Sequence, residues 1–186
     1  MKAINCAISG LLLLVSISCN RAPTPSFATR TKSESAENYP SLTAKTKEIT
    51  EAFTNKDYQK VLELTYPKVI ESGGGREKML AAMKDEIAQM KTDGVEMLST
   101  TPGTPTQFVH DAGSIYAVVP LTLKIKAQEG TFQTEGSLIG ISADAGANWT
   151  FIDAAGADDK DLKVLPPSAL AQLKLPPDKP PVKISG

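Results

Sequence analysis

The chain contains 186 residues, with 20 basic and 21 acidic side chains and 41% hydrophobic residues. This length accommodates one domain with short appendages, and the hydrophobic content is sufficient for a packed core. Because the charges nearly balance, the chain presents no strong net field for nucleic acid or an anionic membrane surface, and we expect no nucleic-acid partner.

The first 18 residues have the pattern of an export signal. Lys2 supplies a positive charge, and an apolar run with LLLLV at its centre follows from Ala7 to Ser18. This run is shorter than the roughly 20 residues that a membrane-spanning helix requires. It ends in SISC, Ser16 to Cys19, which resembles a bacterial lipobox, although that motif prefers leucine where Ser16 stands.

Two maturation routes fit this segment and differ at Cys19. A simple secretory signal would use Ser16 as its small residue and leave Cys19 as an ordinary thiol. We favour the lipoprotein signal (residues 1–18), with Cys19 acylated, because Cys6 lies inside the leader and no other cysteine remains in the mature chain. Two or three acyl chains would anchor the protein firmly to a membrane. Asn20 after the cysteine favours the outer membrane of a bacterial cell envelope.

A tether, residues 19–39, rich in Pro, Thr, Ser and charge, precedes the predicted domain, residues 40–160. Ser41 is a candidate cap for a first helix from Leu42 to about Asn55. Asp57 opens a second helix that Pro67 interrupts. A third helix is predicted from Arg76 to Thr92, where apolar residues recur at spacings of three and four and Gly94 ends the pattern.

Beyond Gly94 the apolar period changes to two, which predicts strands. One face of a long strand carries Ile115, Ala117, Val119, Leu121, Leu123 and Ile125. Shorter strands are predicted at Val95–Thr101, Thr106–His110, Thr131–Ile141 and Asn148–Asp153, with turns at DAG (111–113) and QEG (128–130). Helices followed by an antiparallel sheet define an α+β fold in which the helices cover one face of a curved sheet. Residues 161–186 form a Pro-rich C-terminal tail.

The stretch SADAGANW resembles the Asp-box signature of sialidase-like β-propellers through Ser142, Asp144, Gly146 and Trp149. A propeller requires about four to eight blades, whereas this chain carries one copy of the motif. Arg76 is also the only arginine after the tether, too few for a sialidase site. We therefore interpret these four residues as a structural hairpin clasp, in which Asp144 accepts turn N–H groups and Gly146 takes a positive φ.

The predicted helices, the segment YPKVIESGGGREKML, the strand SIYAVVPLTLKIK and the closing GANWTFIDAAG together resemble nuclear-transport-factor-2-like domains, over about residues 40–160. The chain is most similar to uncharacterised exported bacterial proteins of that superfamily. The resemblance implies a cone, in which a strongly bent sheet wraps around helices and leaves a cavity open at one end. Enzymes of the superfamily place Asp, His and Tyr in this cavity, but their catalytic motifs have no match here. Other members bind peptides, small apolar molecules or a second copy of themselves.

A pocket is predicted among Tyr58, Tyr66, Met79, Met83 and Tyr116, because aromatic walls with adaptable methionines suit a small guest. The same residues could equally form an ordinary core. His110 and Asp111 are adjacent on a strand and would point to opposite faces, so we do not assign them as an acid–base pair. Glu135 and Asp153 are the acids embedded in strands, and we expect Glu135 to face solvent.

These observations predict a non-enzymatic, membrane-tethered domain that binds a small apolar ligand or a peptide, with no cofactor and no metal. A structural or protein-interaction lipoprotein with a filled core is the first alternative, and a homodimer is compatible with either function. The second is an isomerase- or dehydratase-like enzyme of the same superfamily.

Overall fold

The computed structural model describes residue 35 and residues 38–155, 161–177 and 179–185. The predicted export signal, Cys19 and nearly all of the predicted tether lie outside these residues. The described chain is α+β, with N-terminal helices followed by a strongly curled antiparallel sheet. The predicted fold class is confirmed at this level.

Four helices precede the sheet: α1 (Pro40–Thr54), α2 (Tyr58–Leu64), α3 (Pro67–Ser72) and α4 (Arg76–Thr92). Asp57 caps α2, since its side chain accepts a hydrogen bond from the Lys60 backbone N–H at 3.1 Å. Pro67 breaks the helical run as predicted, but it also opens α3 at a position where its missing N–H costs no helical bond. The bounds of α4 agree with the predicted helix.

Ser41 does not cap α1, in contrast to the prediction. The helix begins at Pro40, two residues before the predicted start at Leu42, and its N-cap residue Tyr39 provides no side-chain cap. The Ser41 hydroxyl instead donates to the carbonyl oxygen of Gly146, which is more than 100 residues away in the chain. A tertiary acceptor therefore competes for this hydroxyl, and no local pattern reveals it.

The sheet has two long central strands with shorter strands along their outer edges. β3 and β4 pair over their whole length, from Ile115 opposite Ser142 to Ala127 opposite Gly130. β1 and β2 share the outer edge of β3, and β5 and β6 share the outer edge of β4. The strands are β1 (Glu96–Pro102), β2 (Gln107–Asp111), β3 (Ser114–Ala127), β4 (Gly130–Ser142), β5 (Thr150–Asp153) and β6 (Val182–Ser185). The DAG and QEG segments form the predicted hairpin turns on either side of β3.

One face of the sheet packs against the helices. Ile115, Ala117, Val119 and Leu121 of β3 contribute to this core, as their alternation predicts. The helices contribute Leu42, Ile49 and Leu64, and the end of the sheet contributes Leu138, Trp149 and Phe151. The helical face of the sheet therefore holds the largest buried side chains of the described chain.

The C-terminal segment covers the opposite face of the sheet. It contains a 3₁₀ turn (Asp161–Val164), the short helix α5 (Pro167–Leu170) and β6. Leu162, Leu165 and Ala169 are buried against Tyr116 and Ile139 of the central strands. Residues after 160 are thus packed as part of the same hydrophobic structure, and β3 is buried on both faces over part of its length.

Candidate functional site

The hairpin between β4 and β5 is the SADAGANW stretch, and its side chains bond to one another. Ser142 Oγ donates to Asp144 Oδ1 at 2.8 Å and accepts from the Gly146 N–H at 2.9 Å. Asp144 accepts two more hydrogen bonds from Asn148, one from the backbone N–H at 2.9 Å and one from the side-chain amide at 2.7 Å. The hydrogen bonds of these polar groups therefore lie within the hairpin itself.

The carboxylate of Asp144 is strongly stabilised in its charged form. Hydrogen bonds from the backbone N–H and side-chain amide of Asn148, together with the Ser142 hydroxyl, lower its pKa from 3.8 to about 2. An acid of this strength remains ionised near neutral pH. Asp144 is consequently a hydrogen-bond acceptor in the hairpin and not a proton donor.

Trp149 connects the hairpin to the first helix. Its indole is 2% exposed, and Nε1 donates to Ser41 Oγ and to the Gly146 carbonyl oxygen, both at 3.1 Å. The Tyr39 ring meets the indole edge-on, with centroids 5.6 Å apart. The hairpin clasp thus fastens the closing end of the sheet to the start of α1.

A cavity of about 620 Å³ lies between the helices and the sheet, and we call it the helix–sheet cavity. Its walls come from α1 to α4 on one side and from β4 and β5 on the other, and Val164 of the 3₁₀ turn completes the lining. Most lining side chains are apolar, including Phe53, Val61, Leu138 and Phe151. A concave, apolar space of this size is typical of a binding site for a small molecule.

Helix α4 is a loosely packed wall of this cavity. None of its residues is fully buried, and Met79 and Met83 are half-buried along the side that lines the cavity. Glycines with positive φ flank the helix, Gly75 before it (φ 99°) and Gly94 after it (φ 71°). The flexible thioether side chains can adjust to the shape of a guest.

Two carboxylates interrupt the apolar lining, Glu86 from α4 and Asp153 from the end of β5. Asp153 reaches solvent, yet the protein packed around its carboxyl displaces enough water to raise its pKa. The Ala155 N–H, which donates to Oδ1 at 2.9 Å, lowers that pKa, and the negative charge of Glu86 raises it. Within the described residues neither acid forms an ion pair.

The structure separates the five residues predicted to share a pocket. Met79 and Met83 line the helix–sheet cavity, whereas the three tyrosines do not. Residues adjacent in a strand alternate between faces, so Tyr116 points to the opposite face of the sheet. Burial there raises the pKa of its hydroxyl. Tyr66 lines a separate surface pocket beside Trp149. The hydroxyl of Tyr58 is buried without a hydrogen-bond partner among the described residues, and desolvation raises its pKa.

The remaining candidates lie outside the cavity. His110 is exposed on β2, and Asp111 accepts a hydrogen bond from Ser168 Oγ at 2.7 Å. Glu135 is exposed, as expected, and pairs with Lys179 at 2.8 Å. Over the described ranges, no group of three or more His, Cys, Asp or Glu could hold a metal ion.

Glu86 is a charged residue of the cavity lining that was not predicted from the sequence. A signal for it was present, because Met79, Met83 and Glu86 are spaced by four and three and therefore share one face of α4. An acid at a position of an otherwise apolar helical stripe indicates that this face meets something polar or charged.

Comparison of the chain with protein-family models, with curated proteins and with solved structures gives no significant match. In the part of the chain that the structure describes, no helix has the length and apolar character needed to span a membrane.

Proposed function

We propose that this protein is an exported, lipid-anchored domain that binds a small, largely apolar molecule in the helix–sheet cavity. The observation that carries the proposal is the cavity itself, about 620 Å³ in volume and walled mostly by apolar side chains. Such a volume falls within the range of about 300–1,000 Å³ in which ligand pockets commonly lie. An open space of this size favours the binding function over a structural protein with a filled core.

The proposed fold family is the nuclear-transport-factor-2-like cone. A curled antiparallel sheet with helices on one face and a cavity between the two layers supports this assignment. The C-terminal segment contributes only Val164 to the lining of this cavity, and its buried residues Leu162, Leu165 and Ala169 pack on the other face of the sheet.

The binding proposal is tested with Nile red, an uncharged dye whose fluorescence rises in an apolar site. The full chain carrying Cys19→Ser is used, so that no acyl chain competes for the dye. Met83→Trp should weaken dye binding about tenfold or more, because the indole occupies the cavity. Met90→Trp is the matched control, since Met90 is half-buried on the same helix but lines a different groove.

Three results decide the question. Binding by the parent chain and by Met90→Trp, together with loss in Met83→Trp at an unchanged melting temperature, supports the cavity as the site. Absence of a fluorescence change in the parent chain contradicts the binding function. Equal binding by the two tryptophan variants contradicts the assignment of the site.

The membrane anchor is proposed from the sequence, because Cys19 follows an apolar run with a lipobox-like end. Intact mass measured on the membrane fraction should show a chain that begins at Cys19 and carries acyl groups. Cys19→Ser should move the protein to the soluble fraction. A Cys19→Ser chain that still fractionates with membranes and retains acyl mass would overturn the anchor.

A further inference from the structure

The charged side chains that line the helix–sheet cavity are all negative. Its lining contains two carboxylates, Glu86 and Asp153, and includes no lysine, arginine or histidine among the described residues. The two acids come from opposite walls, Glu86 from α4 and Asp153 from β5. A guest in the cavity would therefore contact apolar walls along most of its surface and one carboxylate from each of the two walls.

These two acids lack a protein cation to neutralise them. Some other described acids do form ion pairs: Glu48 bonds Lys45 and Lys60 at 2.6 Å, and Glu135 bonds Lys179 at 2.8 Å. Glu86 and Asp153 instead repel one another, and the charge of Glu86 helps to raise the pKa of Asp153. Both side chains reach solvent, and a cation placed near the two carboxylates would offset their mutual repulsion.

We propose that the cavity selects a small amphipathic cation, with its apolar body among the cavity walls and an amine or ammonium group between Glu86 and Asp153. This inference rests on the proposed binding function and specifies the chemical class of its ligand. The carboxylates would accept charge-assisted hydrogen bonds from the amine, and these are stronger than bonds between neutral groups. Charge complementarity then supplies selectivity, while the apolar walls supply most of the contact area.

A metal ion suits this site less well than an organic cation. Ca²⁺ takes six to eight oxygen ligands, and Mg²⁺ demands six in octahedral geometry. The cavity lining offers two carboxylates, with only Thr65 and Ser72 as further oxygen-bearing side chains. An ammonium group needs few acceptors and benefits from the apolar surroundings of its carbon chain.

The test compares three ligands with the same eight-carbon chain: octylamine, octanol and octanoate, as competitors of bound Nile red at neutral pH. Octylamine should displace the dye at a concentration about tenfold or more below the other two. Glu86→Gln and Asp153→Asn should each reduce this preference several-fold, and the double variant should abolish it without changing octanol binding. Asp85→Asn is the matched control, because Asp85 adjoins Glu86 on α4, is exposed and does not line the cavity.

The outcomes separate this inference from the binding function. If Nile red binds but octanol competes as well as octylamine, the ligand is not selected as a cation and the inference is overturned, while the binding function stands. If Asp85→Asn reduces the preference as much as Glu86→Gln, the selection reflects general surface charge and the inference is likewise overturned. If Ca²⁺ displaces octylamine and binds directly in calorimetry, the site is a metal site. Absence of Nile red binding contradicts the proposed ligand-binding function itself.

Discussion

Trp149 Nε1 donates a hydrogen bond to Ser41 Oγ across 3.1 Å, and the Ser41 hydroxyl in turn donates a hydrogen bond to the carbonyl oxygen of Gly146. Two residues separated by 108 positions therefore share one hydrogen-bonded chain. Through this contact the β4–β5 hairpin holds the first turn of α1 against the sheet.

Truncation of the indole should destabilise the protein severely. Trp149→Ala removes a side chain that is 2% exposed and leaves a cavity, at an expected cost of about 3–5 kcal/mol. Trp149→Phe retains much of the apolar volume and loses the N–H donor, so its cost should be about 1–2 kcal/mol. Denaturant unfolding of both variants measures the difference. Equal stability of Trp149→Ala and the parent chain would show that the clasp does not support the fold.

Gly146 should resist substitution for two reasons that can be separated. Its φ is +90°, and a Cβ at this position would lie 2.5 Å from Tyr39 Cδ1. Gly146→Ala should therefore cost at least about 2 kcal/mol from backbone strain and overlap combined. Gly113→Ala is the matched control, since its φ is +82° and nothing lies within 4 Å of its Cβ position. It should cost about 1 kcal/mol from strain alone. Equal costs for the two would contradict a role for the Tyr39 contact.

Acid should weaken the hairpin clasp through Asp144. The folded protein holds the pKa of this carboxyl at about 2, below its ordinary value of 3.8, so the unfolded chain takes up the proton first. The stabilisation from Asp144 is complete above about pH 5 and is lost as the pH falls toward 2.

The measurement compares the free energy of unfolding of the parent chain with that of Asp144→Asn between about pH 7 and pH 2. Their difference should shrink through the acid range. Ser142→Ala removes one donor to Asp144 and should shift the loss to higher pH. A difference that stays constant down to about pH 2 would contradict the assigned pKa.

Asp153 should show the opposite dependence on pH. Burial raises its pKa in the folded state, so the folded chain binds the proton more tightly than the unfolded chain. Stability from this group is present below the ordinary pKa and is lost as the pH rises through the raised value. Asp153→Asn, which still accepts from the Ala155 N–H, should therefore be more stable than the parent chain at neutral pH.

Thermal unfolding at neutral and acidic pH tests this expectation. The higher melting temperature of Asp153→Asn relative to the parent chain should disappear in acid. Glu86→Gln should share part of the effect, because the Glu86 charge contributes to the raised pKa of Asp153. Asp85→Asn controls for the loss of one negative charge on α4. A parent chain as stable as Asp153→Asn at neutral pH would refute the assignment.

The local patterns of the sequence predicted α4 and most of the sheet, but not the start of α1, helix α3 or strand β6. The three-and-four spacing of apolar residues marks α4, and strict alternation marks the helix-facing side of β3. The DAG and QEG turns lie where their glycines predict them. These features depend on residues within a few positions of one another, and propensity and periodicity act over that distance.

The helix–sheet cavity required the tertiary structure. Met79 and Met83 could be predicted as pocket residues from their place on an apolar stripe, whereas strand alternation directs Tyr116 to the opposite face of the sheet, which the C-terminal segment buries. Glu86 and Asp153 are 67 positions apart, and only the packing of α4 beside the end of β5 brings both to one cavity.

The sequence by itself thus determined the order of the elements, the turns and the α+β class, because each follows from short-range sterics and the burial of one apolar face. The tertiary structure alone decided which hydroxyl bonds Trp149, what covers the outer face of the sheet and which acids share the cavity. Those outcomes arise from competition between partners far apart in the chain, and no local pattern records which partner wins.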